Sequence, residues 1–128
     1  MSEPLHVLIA GGGVAALEAT LALRALAEER VDIELLAPDA DFVYRPMAVA
    51  EPFQQGEVRR FPLARLAELA GARLTPGTLA RVDLDNHRVE TADGTELKWD
   101  VLFVALGAGA REGIAGGLTF RGPDERAA

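Results

Sequence analysis

At 128 residues, 49% of them hydrophobic and 26% charged, the chain has room for one ordinary packed domain and not for a second active-site domain. A formal charge of −7 excludes the clustered basic surface that a nucleic-acid partner requires. The absence of cysteine excludes a disulfide, a thiolate metal site or a thiol relay, and no other metal site is expected.

His6 to Ala10 is a short apolar run stopped by three glycines, which predicts a strand covered on both faces. The run is too short to cross a membrane and no basic stretch precedes it, so a cytoplasmic protein without a transmembrane segment is expected. From Val14 to Glu29 no Gly or Pro interrupts the chain, and Leu17, Leu21, Ala25 and Glu28 recur at helical spacing. Val31 to Leu36 is again β-branched and aliphatic, so the opening third reads strand, helix, parallel strand. Phe42 to Phe53, with Pro46 and Pro52, reads as a structured loop with one helical turn. Pro62 then opens a short helix reaching Ala70, with Gly71 at its end, and Arg73 to Thr75 forms a third parallel strand. Between Thr78 and Lys98, short alternating segments broken at Asp85-Asn86 and Asp93-Gly94 predict a three-stranded antiparallel meander. Val101 to Ala105 is one more core strand, stopping at Gly107 and Gly109, and the tail 111–128 reads as loose. The expected fold class is α/β: a Rossmann-like three-layer arrangement of a parallel sheet with an antiparallel β-meander, in a single domain.

The glycine triplet carries the chemistry. A strand that enters a tight turn and opens a helix presents free backbone N–H groups and a positive dipole end, where a pyrophosphate can sit. Gly11 permits the turn, Gly13 the approach of phosphate to backbone, and Ala16 stands where a third glycine lets helix and strand pack closely, giving G-x-G-x-x-A. The expected cofactor-binding set therefore begins with Gly11, Gly12, Gly13, Val14, Ala15 and Ala16; the plain alternative is a tight turn without a ligand. The acidic residue that grips a ribose hydroxyl belongs at the end of the second strand, where this chain has Leu36-Ala37-Pro38. Asp39 and Asp41 follow within reach of a ribose, and read first as turn-forming residues.

Four stretches resemble the FAD-dependent pyridine nucleotide-disulfide oxidoreductases, in the branch of type II NADH dehydrogenases and sulfide:quinone oxidoreductases. They are Val7 to Glu18, Phe42 to Pro46, the meander with its Asp93-Gly94 turn, and Trp99 to Ala110, which is similar to the family's second flavin motif. Leu106 stands where that motif commonly has threonine, and Thr119 to Pro123 resembles the link toward an NADH-binding domain. The resemblance implies that Gly11, Gly13 and Ala16 cradle the pyrophosphate of FAD and that Ala37 and Pro38 border the adenosine ribose. It implies further that Leu79 and Ala80 flank adenine and that Ala105, Leu106 and Gly107 pass under the dinucleotide. Arg45 either reaches toward the flavin or its phosphates or is an exposed loop arginine.

In that family a separate NADH domain and a later Gly-Asp segment complete the flavin site, and neither is in this sequence. The expectation is a truncated FAD-binding segment of an NAD(P)H oxidoreductase, with no catalytic residue of its own, no turnover alone, and FAD held weakly or not at all. The competing expectation is a stand-alone NAD(P)- or ADP-binding or interaction module without redox activity. Sheet surface that the return segment would cover implies a homo-oligomer, and peripheral membrane contact of a full-length enzyme stays open.

Overall fold

The computed structural model describes residues 2–109 and 113–117. Strand β1 (Leu5–Ala10) leads into helix α1 (Val14–Ala27), and the chain returns along β2 (Val31–Ala37). β1 and β2 are parallel, with Val7 opposite Ile33 and Ile9 opposite Leu35, as a strand–helix–strand crossover requires. The helix ends at Ala27 instead of Glu29, because Glu28 takes a positive φ of 52° and the chain tightens into a 3-10 turn over Glu28–Arg30. Its buried face also differs from the expected stripe. Ala16 and Thr20 are buried, with the expected Leu17 and also Leu23 and Ala27 packed against the same core, whereas Leu21 is 55% exposed. The Thr20 hydroxyl is satisfied by donating to Ala16 O at 2.8 Å.

Helix α2 (Leu63–Leu69) and strand β5 (Arg73–Pro76) follow the same logic. Pro62 precedes the helix, and Gly71, at φ 68°, supplies the left-handed residue that ends it. β5 lies parallel to β2, with Leu74 opposite Leu35. Arg24 fastens these parts together: its guanidinium donates to the carbonyls of Glu28, Val31 and Gly71, at the end of α1, the start of β2 and just past the end of α2.

Strand β9 (Val101–Val104) pairs parallel to β1 on its other side, giving the order β5-β2-β1-β9. The expectation of another core strand is corrected here. Among the described residues β9 has a sheet neighbour on one side only, and Val101, Phe103 and Val104 are 44%, 43% and 56% exposed. One face of the sheet carries α1 and α2 over a core of Val7, Ile9, Ile33 and Leu35. The other is covered by the expected meander of β6 (Leu79–Asp83), β7 (Arg88–Thr91) and β8 (Glu96–Lys98), whose Leu79, Val82, Val89 and Leu97 pack with Leu8 and Leu36. The result is a three-layer α/β arrangement of the Rossmann type.

The loop expected over Phe42 to Phe53 is partly strand. β3 (Asp41–Tyr44) pairs with β4 (Arg59–Pro62) in a two-stranded ribbon, and the Phe42 and Phe61 rings lie 6.5 Å apart. The chain divides within this ribbon into two compact units, one formed by 2–42 with Phe61–Leu106 and the other by Val43–Arg60 with the residues after Leu106. In the second unit the single expected helical turn is replaced by two 3-10 turns, Arg45–Met47 and Glu51–Phe53, each with a proline in its first turn. Among the described residues no helix is long and apolar enough to cross a membrane.

Candidate functional site

The carboxyl ends of β1, β2 and β9 meet around the glycine triplet, and the three glycines differ in what surrounds them. Gly11 has φ 141° and donates its N–H to Leu36 O at 2.9 Å, while a Cβ there would lie 2.1 Å from Ala105 O. No side chain fits between β1 and the end of β9. A Cβ on Gly12 would lie 2.6 Å from Leu63 Cδ2 and 2.9 Å from the Ala37 Cβ, so the middle of the triplet is held against the start of α2 and the end of β2. Gly13 meets nothing within 4 Å. Its φ of −92° is ordinary extended backbone, so the absence of a side chain there leaves open space above the helix start instead of relieving strain.

Gly13 is the N-cap of α1, without a side-chain cap and without an acidic residue in the first turn. The first backbone bond of the helix runs from Leu17 N to Gly13 O at 3.1 Å, which leaves the amides of Val14, Ala15 and Ala16 without a backbone acceptor among the described residues. Val14 is 61% exposed and Ala15 is exposed too, whereas Ala16 is fully buried beneath them and brings the helix close to β1 and β2. Uncapped amides, a positive dipole end and free space over Gly13 together form a cradle for an anion.

Of the expected site residues, Gly11, Gly12, Ala37 and Ala105 are brought together by these contacts, and Gly13 to Ala16 continue directly from them. Ala37 is buried and its carbonyl accepts from Gly77 N at 3.0 Å, so the position expected beside a ribose offers no charge; Pro38 after it is exposed. Leu79 packs inward toward the core of Leu8 and Leu36, next to exposed Ala80 at a register shift in the β6–β7 ladder. Leu106 is 57% exposed. Arg45 and Gly107 belong to the second unit, where Arg45 is exposed in its 3-10 turn and Gly107 has φ 74°. Ala110 and the expected link Thr119 to Pro123 lie outside the described residues. Leu63 was not foreseen: it is completely buried beneath Gly12, a role that depends on a tertiary contact which nothing local to Pro62-Leu63 reveals.

No family model matches the sequence, and no curated protein matches it. Solved structures do. The sulfide:quinone oxidoreductase of the hyperthermophilic bacterium Aquifex aeolicus matches with a TM-score of 0.74 and 25% identity, over 80% of this chain and 24% of that one. The chain shares the fold of the FAD-dependent pyridine nucleotide-disulfide oxidoreductases. The same oxidoreductase fold relates it to putidaredoxin reductase in its covalent complex with putidaredoxin, at TM-score 0.71 and 21% identity over 91% of this chain and 29% of that one. NDH2 of Plasmodium falciparum, in complex with NADH, matches at TM-score 0.67 and 16% identity over 84% of this chain and 23% of that one. The chain thus spans between 23% and 29% of the length of these oxidoreductases.

The opposite, amino-terminal ends of the strands are polar. Glu34, only 6% exposed, accepts from the Thr75 hydroxyl at 2.5 Å, pairs with His6 Nε2 at 2.7 Å and lies 3.3 Å from Arg73. The Arg73 guanidinium is pushed above its ordinary value by its hydrogen bond to Asp32, with the charges of Asp32 and Glu34 adding to the effect. The His6 amide donates to the Asp100 carboxylate at 2.7 Å, and Asp100 N donates back to His6 O at 2.9 Å. Among the described residues no group of three His, Cys, Asp or Glu is placed to hold a metal ion.

Proposed function

We propose that this chain binds the pyrophosphate and adenosine part of FAD at the carboxyl ends of β1, β2 and β9, as a segment of an FAD-dependent NAD(P)H oxidoreductase of the cytoplasm. The observation that carries the reading is the uncapped start of α1 behind Gly13, where the amides of Val14, Ala15 and Ala16 lack backbone acceptors and a side-chain position stands empty. These residues fit a pyrophosphate: they supply hydrogen-bond donors, a favourable dipole and room. Gly11 and Gly12 keep the turn close to β9 and α2, and Ala37, Pro38, Leu79, Ala80, Ala105 and Leu106 are the proposed remainder of the cofactor contacts.

Bound flavin supplies hydride and electron transfer; this chain contributes the grip on the dinucleotide and no acid, base or nucleophile. Catalysis requires a nicotinamide held against the flavin ring. With neutral, buried Ala37 where a ribose-gripping acid would stand, binding is weak and shows little preference between NAD and NADP fragments. The test is a calorimetric titration with ADP and FAD, together with the absorbance spectrum of the purified protein. Saturable ADP binding supports the reading, and flavin bands extend it to the whole cofactor. Absence of any ADP or FAD binding would overturn it and leave the glycine turn a purely structural device.

The bare edge of β9 supports a second element of the proposal, self-association. Val101, Phe103 and Val104 present exposed apolar side chains beside strand backbone that has no partner on that side among the described residues, the combination that favours pairing with another chain. Light scattering over a wide concentration range checks this, and a monomer throughout would refute it.

A further inference from the structure

Leu63 is completely buried, yet among the described residues it belongs to neither of the two hydrophobic cores that flank the sheet. Ala67, about one turn further along α2, does join the helix-side core. The Leu63 side chain runs instead to the glycine triplet, where its Cδ2 stands 2.6 Å and its Cδ1 3.9 Å from the point that a Cβ on Gly12 would occupy. The Ala37 Cβ, 2.9 Å from the same point, closes the other side. The backbone of Leu63 is fixed as well. Its N–H donates to Ala40 O at 2.8 Å, which ties the start of α2 to the chain that leaves β2 after Ala37.

The residues on either side of Gly12 are constrained differently. Gly11 is held by its hydrogen bond to Leu36 O and by the closeness of Ala105 O, whereas Gly13 has open space above it and no side-chain cap. Removing volume beneath Gly12 therefore lets the turn sink toward α2, with Gly11 as the fixed end and Gly13 and the amides of Val14 and Ala15 as the end that moves. Side-chain length at position 63 then decides where those N–H groups point. A hydrogen bond weakens steeply as its donor turns away from the acceptor, so a bound anion feels a small rotation of the helix start although the buried Leu63 can touch no ligand itself.

We propose that Leu63 is a positioning residue for the dinucleotide: acting through Gly12, it sets the height of the glycine turn and with it the affinity of the turn for pyrophosphate. This role rests on the pyrophosphate reading above and puts a determinant of affinity outside the G-x-G-x-x-A motif.

Calorimetric titration with ADP is run on wild type, Leu63→Val, Leu63→Ala and Leu63→Met, with circular dichroism to establish that each is folded. Ile33→Val is the control. It removes one methylene from a completely buried side chain, as Leu63→Val does, but in the helix-side core and well back along β2 from Ala37. Leu63→Val should weaken ADP binding about threefold and Leu63→Ala about tenfold, the size expected when one charge-assisted hydrogen bond is misaligned. Leu63→Met restores the length and should stay near wild type, and Ile33→Val should lower Tm without changing ADP affinity. In the ligand-free protein the amide NMR resonances of Gly12, Gly13 and Val14 should move in Leu63→Val and hold still in Ile33→Val. Gly12→Ala should weaken binding less in the Leu63→Ala background than alone, because the methyl it would meet is gone. Wild-type ADP affinity in folded Leu63→Val and Leu63→Ala would overturn the positioning role and leave the pyrophosphate reading intact; if Leu63→Ala does not fold, Leu63→Val decides. Equal losses in Leu63→Val and Ile33→Val would overturn it too, since a general loosening would explain both. Wild type that binds no ADP would overturn the pyrophosphate reading, and this role with it.

Discussion

Gly13→Glu separates binding from folding at the glycine turn. The side-chain position at Gly13 meets nothing within 4 Å and its φ is −92°, so glutamate enters without backbone strain or steric conflict in the free protein. A carboxylate at the start of α1 faces the positive helix end and should stabilise the fold by about 0.3–1 kcal/mol. The same carboxylate opposes a pyrophosphate. It claims the dipole for itself, and at about 4 Å from a phosphate in a water-exposed setting it adds roughly 1 kcal/mol of repulsion. With the space it fills, the expected loss is on the order of 2 kcal/mol, about thirtyfold in ADP affinity. Calorimetric titration reads the affinity, and thermal unfolding should show a Tm within a few degrees of wild type. A folded Gly13→Glu protein binding ADP within threefold of wild type would refute the assignment of the anion to this helix end.

Gly11→Ala should behave in the opposite way: its Cβ would fall 2.1 Å from Ala105 O at φ 141°, so β9 must part from β1. A loss of about 3 kcal/mol or more in urea unfolding is expected, and wild-type stability would contradict the contact. Glu34→Ala should cost about 2–4 kcal/mol by the same measurement, because it strands the Thr75 hydroxyl and removes a buried partner of His6 and Arg73. A cost below about 0.5 kcal/mol would show that the cluster is solvated. Asp93 is held below the usual carboxylate range, first by the Thr91 hydroxyl and then by the Thr95 amide. Its ionised form therefore favours the fold above the ordinary carboxylate value, and this contribution disappears as pH falls through the lowered one. Asp93→Asn should lower Tm at neutral pH, with the gap to wild type closing below about pH 4; a gap constant across that range would refute the link.

Elements whose cause is local were legible in the sequence. β1, α1, β2 and β5 follow from apolar runs and glycine or proline punctuation, and the meander follows from the Asp85-Asn86 and Asp93-Gly94 turns. The β3–β4 ribbon was not legible, because all four residues of β4 are exposed and show no alternation, while its partner strand lies across a proline-bearing stretch. β9 was read as covered because hydrophobic content records what a strand can bury and not whether a neighbour is there to bury it. Within the site, the Gly11 and Gly13 positions came from the motif. The motif treats its middle position as free, whereas Gly12 is fixed by Leu63 and Ala37, both brought to it from distant parts of the chain.

Arg24 bears on how the protein opens. Its one guanidinium binds carbonyls of Glu28, Val31 and Gly71, so the crossover through α1 and the one through α2 cannot detach separately without stranding a cation in a partly buried place. Fluctuations that free β5 must also loosen the joint between α1 and β2. The parallel part of the sheet should then exchange its amide hydrogens as one cooperative block, with the glycine turn riding on a base that yields all together or not at all.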